Sequence, residues 1–196
     1  MASLYTLVES VLGLSAAIIF CVSVMCLCFY FPRLLKLTLP IMVISQVIPL
    51  VSLAPLFIMT LGLGIESKVA MSVLLCFFPL FVNFASGYIS IPRAVNELVY
   101  IYAAPTWYRI LHVNIPLSLP SIFAGLKVSA TLSVIGAIVA EFNGAEFGLG
   151  KNLFLAAKRL DPELMIASIA ISSIIGGLLY GLVTAIERRL GKWYLQ

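Results

Sequence analysis

Charged side chains are scarce in this sequence, where 12 Lys and Arg and 8 Asp and Glu stand among 196 residues. A soluble domain carries roughly 25% charged residues, so a charged fraction of 10% excludes an ordinary soluble protein. Hydrophobic residues make up 62% of the chain, and the mean hydropathy is +1.14. We therefore predict an all-α integral membrane protein with little mass outside the bilayer.

Residues that bind metals or catalyse reactions are also rare. The only histidine is His112, for which we expect a surface or partner contact. The sequence has no HExxH or GxSxG motif, and the expected spans hold no pair of acids facing each other. We therefore expect no enzymatic activity, no cofactor and no metal site. Four cysteines lie inside apolar stretches and are expected to pack there: Cys21, Cys26, Cys28 and Cys76.

One glycine-rich stretch, residues 148–152, resembles part of a phosphate-binding loop. Ala145, three residues before this stretch, stands at the position of the motif's first glycine. Asn152 stands where Ser or Thr would hold magnesium. This chain is therefore not expected to bind ATP itself, and any nucleotide-driven step requires another subunit.

Five apolar stretches are long enough to cross the bilayer, which takes about 20 residues. We expect a single transmembrane domain over residues 1–196, with spans at about 11–31, 37–65, 69–91, 120–140 and 164–186. The second span should be kinked or broken, because Pro40, Pro49 and Pro55 each remove a backbone donor. An ordinary kink is one reading. The other is a cavity-lining helix, which makes Pro49 and Pro55 pathway candidates.

The basic residues predict the orientation of the chain. If the N-terminus lies outside, seven basic residues face the cytoplasm and four face outward, as the positive-inside rule favours. The polar loop at residues 92–117 and the C-terminal tail are then cytoplasmic. The inner set is Arg33, Lys36, Arg93, Arg109, Arg188, Arg189 and Lys192, and the outer set is Lys68, Lys151, Lys158 and Arg159.

Two features inside the spans have open interpretations. Lys127 is expected about two turns inside the fourth span, where it either snorkels to the interface or lines a polar pathway. Gly177 and Gly181 have GxxxG spacing in the fifth span, which suggests close helix packing within the subunit or across a dimer.

The polar loop at residues 92–117 is patterned as two short helices. Residues 95–102 predict the first, and Pro105 suits the first position of the second. After it, Trp107, Ile110 and Leu111 share one face at helical spacing. Trp107 either anchors an interfacial helix among lipid headgroups or inserts into a groove on a cytoplasmic partner. The chain then returns to the membrane at Pro116 and Pro120.

The sequence resembles the inner-membrane permease subunits of binding-protein-dependent ABC importers, of the MetI-like type. Within them it looks most like the branch for nitrate, sulfonate, taurine and thiamine precursors. Their cytoplasmic motif reads E-A-A, three residues, G, nine residues, I-x-L-P. With its last proline at Pro116, the motif's glutamate falls on Glu97 and its glycine on Ala103. Stretches 48–68, 77–92 and 115–142 resemble that branch in the same order.

Some residues depart from the motif. Leu98 and Val99 replace the two alanines, and alanine replaces the glycine at 103. If the turn needs a left-handed residue there, alanine costs about 1–2 kcal/mol. The chain also starts where the second span of this branch would begin. Either one span is missing, or the protein uses a five-span core.

The resemblance implies a mechanism and partners. Two copies of the permease would form a homodimer above two cytoplasmic ATPases, in the inner membrane of a prokaryote, and an outside binding protein would deliver a small solute. The loop would couple ATP hydrolysis to alternating access. It implies no nucleic acid among the partners. The expected coupling positions are Glu97, Ala103, Pro105, Trp107, Arg109 and Ile110, and the pathway candidates are Pro49, Pro55 and Lys127.

Other classes stay open at this stage. An ion-gradient-driven secondary transporter usually needs acids or histidines within its spans, and none is expected here. A non-transporting membrane scaffold is the other alternative. The outer segment, residues 141–163, is either a docking surface for the binding protein or an ordinary solvated loop.

Overall fold

The fold is a bundle of helices, described over residues 1–191 by a computed structural model that leaves out the side chains at positions 32, 45, 50 and 191. Lys192 and the end of the predicted basic tail lie outside the described residues. A 3-10 turn (Leu50–Leu53) precedes α3, and a π-helical turn (Ile110–Asn114) joins α6 to α7. The helices are α1 (Ala2–Tyr30), α2 (Pro32–Ser45), α3 (Ala54–Leu61), α4 (Ile65–Ile89), α5 (Arg93–Ile101), α6 (Thr106–Arg109), α7 (Ile115–Phe142), α8 (Leu149–Arg159) and α9 (Pro162–Gly191).

Four continuous helices are long and apolar enough to cross a membrane. At 1.5 Å per residue, helices of 25 to 37 residues are about 38 to 56 Å long, which exceeds the roughly 30 Å hydrocarbon core. They correspond to the first, third, fourth and fifth predicted spans, and they confirm the all-α membrane class. Their bounds are Ala2–Tyr30, Ile65–Ile89, Thr106–Phe142 and Pro162–Leu190.

The second predicted span is broken rather than continuous. Helix α2 ends at Ser45, residues 46–49 are not helical, and α3 follows the 3-10 turn. Pro49 directly precedes that turn and Pro55 lies in the first turn of α3, where a missing donor is tolerated. The expectation that the second span is kinked or broken is therefore confirmed. Pro40 lies inside α2 without ending it.

The core forms where α1, α4 and α7 pack together, and α4 and α7 share the longest contact. We term the side of the bundle that holds Met1 the N-terminal side, and the side that holds residues 92–117 the loop side. The expected packing role of the cysteines is confirmed for Cys21, Cys28 and Cys76, which are buried in the α1 and α4 core.

Ser72 of α4 lies where the three core helices come closest. A Cβ on Gly13 of α1 would stand 2.2 Å from the Ser72 Cβ, and a Cβ on Gly136 of α7 would stand 2.7 Å from its Cα. The Ser72 hydroxyl donates to the Ser133 carbonyl at 2.5 Å. Close backbone approach through small residues is how membrane helices gain contact, so these glycines set the spacing of the bundle.

The GxxxG glycines of α9 do not bring two helices of the described residues close together. A Cβ on Gly177 or Gly181 would meet no atom of the described residues within 4 Å. Packing within the subunit, one of the two expectations for this motif, is therefore wrong, because α9 turns other residues toward the bundle. Its buried apolar residues are Ile175, Leu179 and Val183.

Candidate functional site

The polar loop folds as a helical hairpin. The helix expected at residues 95–102 is confirmed as α5, which begins at Arg93 and ends at Ile101. The second short helix was expected to be separate. Instead α6 continues through the π-helical turn into α7, so one helix runs over Thr106–Phe142. Pro116 and Pro120 lie inside this helix, and Pro105 precedes its first residue.

Ala103 makes the turn between the two helices. Its φ is 47°, in the left-handed region that the motif glycine would favour. The Ala104 N–H donates to the Val99 carbonyl at 3.3 Å, and the Ala103 N–H donates to the Tyr100 carbonyl at 3.0 Å. These two bonds form a Schellman motif, which usually ends on glycine. Ala103 therefore adopts the left-handed conformation of this turn, which costs alanine more free energy than it would cost glycine.

Ala103→Gly is expected to stabilise the protein by about 1 kcal/mol, because glycine avoids the left-handed strain that alanine bears. The measurement is thermal unfolding in detergent, where we expect Tm to rise by about 2–4 °C. Ala104→Gly, one residue further, is the matched control and should leave Tm unchanged or lower it. An unchanged Tm in Ala103→Gly would contradict the strain at this turn.

The hairpin exposes an aromatic patch, formed by Tyr100, Ile101, Tyr102, Trp107, Tyr108 and Leu111. Tyr100 and Tyr102 are 87% and 80% exposed, and Trp107 is 55% exposed. His112 stacks on Tyr108 with ring centroids 4.2 Å apart, so the expected surface position of the histidine is confirmed. Exposed apolar patches rimmed by polar residues mark interaction sites. Sequence reasoning named Trp107 but not the two tyrosines.

Two of the expected contact residues point into the protein instead. Ile110 is buried against the α1 and α4 core, so it does not share an exposed face with Trp107 and Leu111. The Arg109 Nη2 donates to the Asn96 Oδ1 at 2.8 Å and so ties α6 to α5. These side chains hold the hairpin in place rather than presenting a surface.

Glu97 stands where the motif's glutamate falls. It is exposed on α5, and it forms neither a side-chain hydrogen bond nor an ion pair with any described residue. Pro105 is also exposed, beside the turn at Ala103.

Lys127 lies about six turns from the start of its helix, because that helix begins at Thr106 rather than near residue 120. Its Nζ pairs with Glu187 Oε2 of α9 at 2.5 Å. The amine is therefore partnered by a half-buried carboxylate of another helix. Sequence reasoning placed Glu187 in the cytoplasmic tail and missed this ion pair.

A buried acidic pair on the N-terminal side was also missed. Glu9 of α1 and Glu141 of α7 are 2% and 1% exposed, and their carboxyl groups face each other. Lys68 of α4 pairs with Glu9 at 3.4 Å. Both carboxyls lie just beyond the predicted spans at 11–31 and 120–140, in helices that extend further than predicted.

Glu141 also holds the beginning of α8. Its Oε1 accepts the Thr6 hydroxyl at 2.6 Å, and its Oε2 accepts the Gly150 N–H at 2.7 Å. The Leu149 N–H donates to the Thr6 hydroxyl at 3.0 Å. The first N–H groups of α8, which lack partners within their own helix, are therefore bound by α1 and α7.

The glycines of the 148–152 stretch serve this contact rather than a phosphate. A Cβ on Gly148 would stand 2.2 Å from the Glu141 Cδ, and a Cβ on Gly150 would stand 2.2 Å from the Ile138 carbonyl oxygen. Gly148 also has a φ of 128°. The signal in the sequence was this pair of glycines shortly after a glutamate at the end of an apolar span.

Comparison with known proteins gives one family and several relatives. The family described as binding-protein-dependent transport system inner membrane component matches residues 10–192. The formylaminopyrimidine transport permease protein ThiX of Halalkalibacterium halodurans is 36% identical over 182 residues, which cover 93% of this chain and 73% of that protein.

Two further relatives show the range of similarity. The riboflavin transport system permease protein RibX of Chloroflexus aurantiacus is 36% identical over 79% of this chain. The taurine transport system permease protein TauC of Escherichia coli is 28% identical over 96% of this chain. The matched regions are 58% of RibX and 69% of TauC, so the chain spans only part of each.

Proposed function

The chain belongs to the family of binding-protein-dependent transport system inner membrane components, and on this premise we propose that it is the permease subunit of an ATP-driven importer. The proposed assembly holds a second copy of the permease, two cytoplasmic ATPases that hydrolyse the ATP, and an extracytoplasmic binding protein. The whole chain acts in it as a single transmembrane domain. The family match over residues 10–192 supports this proposal.

The aromatic patch on the hairpin is the observation that supports coupling to an ATPase. Aromatic side chains are enriched among the residues that dominate protein interfaces, and Trp107 stands at the start of a helix that runs through the bundle. Movement of an attached partner would therefore act directly on α7. In this proposal Trp107, Pro105 and Glu97 contact the ATPase, while Ala103, Arg109 and Ile110 shape and hold the hairpin.

The break between α2 and α3 is the proposed place of the solute pathway. Non-helical backbone at membrane depth is tolerated only where protein covers it or where it lines a water-filled cavity. Residues 46–49 are exposed in this chain, and α2 puts about 21 Å of helix between them and the end of α1. Pro49 and Pro55 flank the segment. We leave Lys127 out of the pathway, because Glu187 already neutralises it.

The loop side is proposed to face the cytoplasm, with Met1 outside. Arg33, Arg93 and Arg109 lie on the loop side, as the positive-inside rule requires for this orientation. The coupling role needs the same orientation, because ATPases act on the cytoplasmic side.

Trp107→Ala is expected to reduce ATP-driven uptake about tenfold or more while the protein still inserts, because the loss of one interface tryptophan often costs 2 kcal/mol or more. The measurement is uptake by vesicles reconstituted with the ATPase and the binding protein, together with co-purification of the ATPase. Tyr30→Ala removes a similarly exposed ring from the end of α1 and is the control. Full uptake by a Trp107→Ala and Tyr102→Ala double variant would contradict the proposal.

The solute is proposed to be a small organic molecule of the kind named for the relatives. Identity of 36% to the formylaminopyrimidine and riboflavin permeases, against 28% to the taurine permease, favours a nitrogen heterocycle. Calorimetry with the cognate binding protein would identify it.

One observation favours the alternative of a secondary transporter, because Glu9 and Glu141 are buried acids within spanning helices. The two mechanisms differ in their energy source. Uptake that continues without ATP and stops when the ion gradient is collapsed would favour this alternative over the importer.

A further inference from the structure

A cleft of about 550 Å³ lies between the hairpin and the bundle on the loop side. Helices α1 and α4 form one wall, and α5, the Ala103 turn and α6 form the other. None of its lining residues is acidic. The residues that carry the argument are Phe29, Tyr88, Tyr100, Thr106, Arg109 and Asn114.

Two buried polar atoms on this lining have no partner in the described part of the chain. They are the Nε of Arg109 and the Oδ1 of Asn114, whose residue is only 2% exposed. The Nη2 of Arg109 is already held by Asn96. A buried polar group without a hydrogen bond costs about 1–3 kcal/mol, and such groups are rare in folded proteins. Arg109 and Asn114 therefore hold one unsatisfied donor and one unsatisfied acceptor beside the cleft, and a ligand would bond these covered atoms once the two side chains turn toward it.

The π-helical turn brings these two residues to the same side of the helix. Arg109 directly precedes the turn and Asn114 ends it, five positions later. In an α-helix, residues five apart point about 140° away from each other. A turn with i to i+5 hydrogen bonds is wider and largely removes that angle, and such turns are frequent at functional sites. The irregular turn thus explains how both side chains reach one cleft.

The free atoms define the chemistry of a ligand. The guanidinium N–H seeks an acceptor, preferably an anionic oxygen, and the amide oxygen seeks a donor. A phosphate group offers anionic oxygens to Arg109, and the P–OH of a free phosphate or phosphate monoester offers a donor to Asn114. In a lipid, the hydroxyl or ammonium of the headgroup supplies that donor instead. Phe29 and Tyr88 can pack against the apolar part of a lipid or of an organic phosphate monoester.

We propose that this cleft binds a phosphate group and that occupancy holds the hairpin against the bundle. Basic pockets on the cytoplasmic side of membrane helices are known to bind lipid phosphates, and free phosphate presents the same oxygens. A bound phosphate would join Arg109 and Asn114 across the π-helical turn, and the molecule that carries it would fill the space between this helix and Phe29 and Tyr88 of α1 and α4, which would limit the movement of the aromatic patch. The binding claim is independent of the proposed function, whereas the effect on coupling depends on it.

The test is thermal unfolding of the full chain, stripped of lipid in a sugar-based detergent without phosphate groups. Inorganic phosphate, or phosphatidylglycerol added back in nanodiscs, should raise Tm by about 5 °C at saturation. Sulfate is the matched anion control for the free ion, since it lacks the O–H donor at neutral pH. A response to inorganic phosphate assigns the site to a free phosphate, and a response to the lipid alone assigns it to a headgroup. No response to either overturns the proposal.

Four variants distinguish loss of phosphate binding from loss of hairpin stability. Asn114→Leu has nearly the same shape and should weaken binding at least about tenfold, yet should not lower Tm without ligand, because it removes an unpartnered polar atom. Arg109→Lys should weaken binding similarly. Asn96→Ala breaks the tie between α5 and α6 but should keep binding, and Arg93→Gln changes an exposed charge of the same loop and should also keep it. Equal binding by all four variants overturns the proposal.

The same variants distinguish the two proposals. If Asn114→Leu loses binding while its uptake matches wild type, the site stands and its link to coupling fails. If phosphate binds as expected but no ATPase ever supports uptake, the importer proposal fails and the site stands.

Discussion

Glu141→Ala is expected to lower the free energy of unfolding by about 3 kcal/mol and to release α8 from the bundle. The substitution leaves the buried Gly150 N–H without its acceptor, and it leaves the Thr6 hydroxyl only its longer bond to the Ala2 carbonyl, at 3.3 Å. Each orphaned buried donor costs about 1–3 kcal/mol. It also removes one of the two carboxyls packed beside Lys68, so the charge balance of the cluster changes inside the bundle.

Hydrogen exchange is the measurement that separates this effect from general destabilisation. The amides of Leu149 and Gly150 should exchange much faster in Glu141→Ala, whereas amides in the centre of α4 should change less. Glu141→Gln keeps one acceptor oxygen and should lose only part of the stability. Glu146→Ala removes an exposed acid from the same connection and is the control. Unchanged protection of Gly150 in Glu141→Ala would show that the carboxyl does not hold α8.

The spanning helices were predictable because length and lack of charge are local properties of a sequence. Their ends were less predictable. Helix α1 begins at Ala2 rather than near Val11, and it includes Glu9, whose partner Lys68 is 59 positions away. When hydropathy is averaged over a window of the sequence, the charge of Glu9 indicates that the span ends there. Only the packed bundle reveals that a lysine meets this charge.

The acidic pair was out of reach for the same reason. Glu9 and Glu141 stand 132 positions apart, and nothing near either residue in the sequence names the other. A local clue did exist in Gly148 and Gly150, which leave room for the Glu141 carboxyl. Sequence reasoning compared those glycines with a phosphate-binding loop and overlooked their packing role.

The hairpin shows what a motif alignment can and cannot supply. Aligning the family motif placed its glycine at Ala103, and the left-handed φ found there agrees with that placement. A spacing of 3.6 residues could not predict which residues of α7 lie on the same side as Trp107. The π-helical turn shifts the register between Trp107 and α7. Ile110 is buried against the α1 and α4 core, whereas regular spacing put it on the face of Trp107.

Polar contacts fix the bundle at both ends, while small residues set its spacing in the middle. On the N-terminal side Glu141 ties α8 to α1, and on the loop side Arg109 ties α6 to α5. An importer that alternates between two packings needs elements that move as units. The hairpin, which is the proposed coupling element, is held by one of these polar contacts, and a change in helix spacing would alter the close approach at Ser72.

Gly136→Val is expected to lower the free energy of unfolding by about 3 kcal/mol, at the upper end of the usual cost of overpacking. The new Cβ would stand 2.7 Å from the Cα of Ser72, which is backbone and cannot turn aside. Helices α4 and α7 must separate to admit it. The measurement is thermal unfolding followed with a thiol-reactive dye, which reports exposure of the buried cysteines, Cys76 among them. Gly177→Val is the control, because Gly177 is exposed and its Cβ would meet no described atom within 4 Å.

A rescue experiment tests the geometry directly. A Cβ on Gly13 would collide with the side chain of Ser72, its Cβ at 2.2 Å and its Oγ at 2.9 Å, whereas a Cβ on Gly136 would collide with its backbone. Ser72→Gly should therefore restore much of the Tm lost in Gly13→Ala, but little of that lost in Gly136→Ala. Equal rescue of both would mean that the serine side chain, and not the approach of the two backbones, sets the distance between α4 and α7.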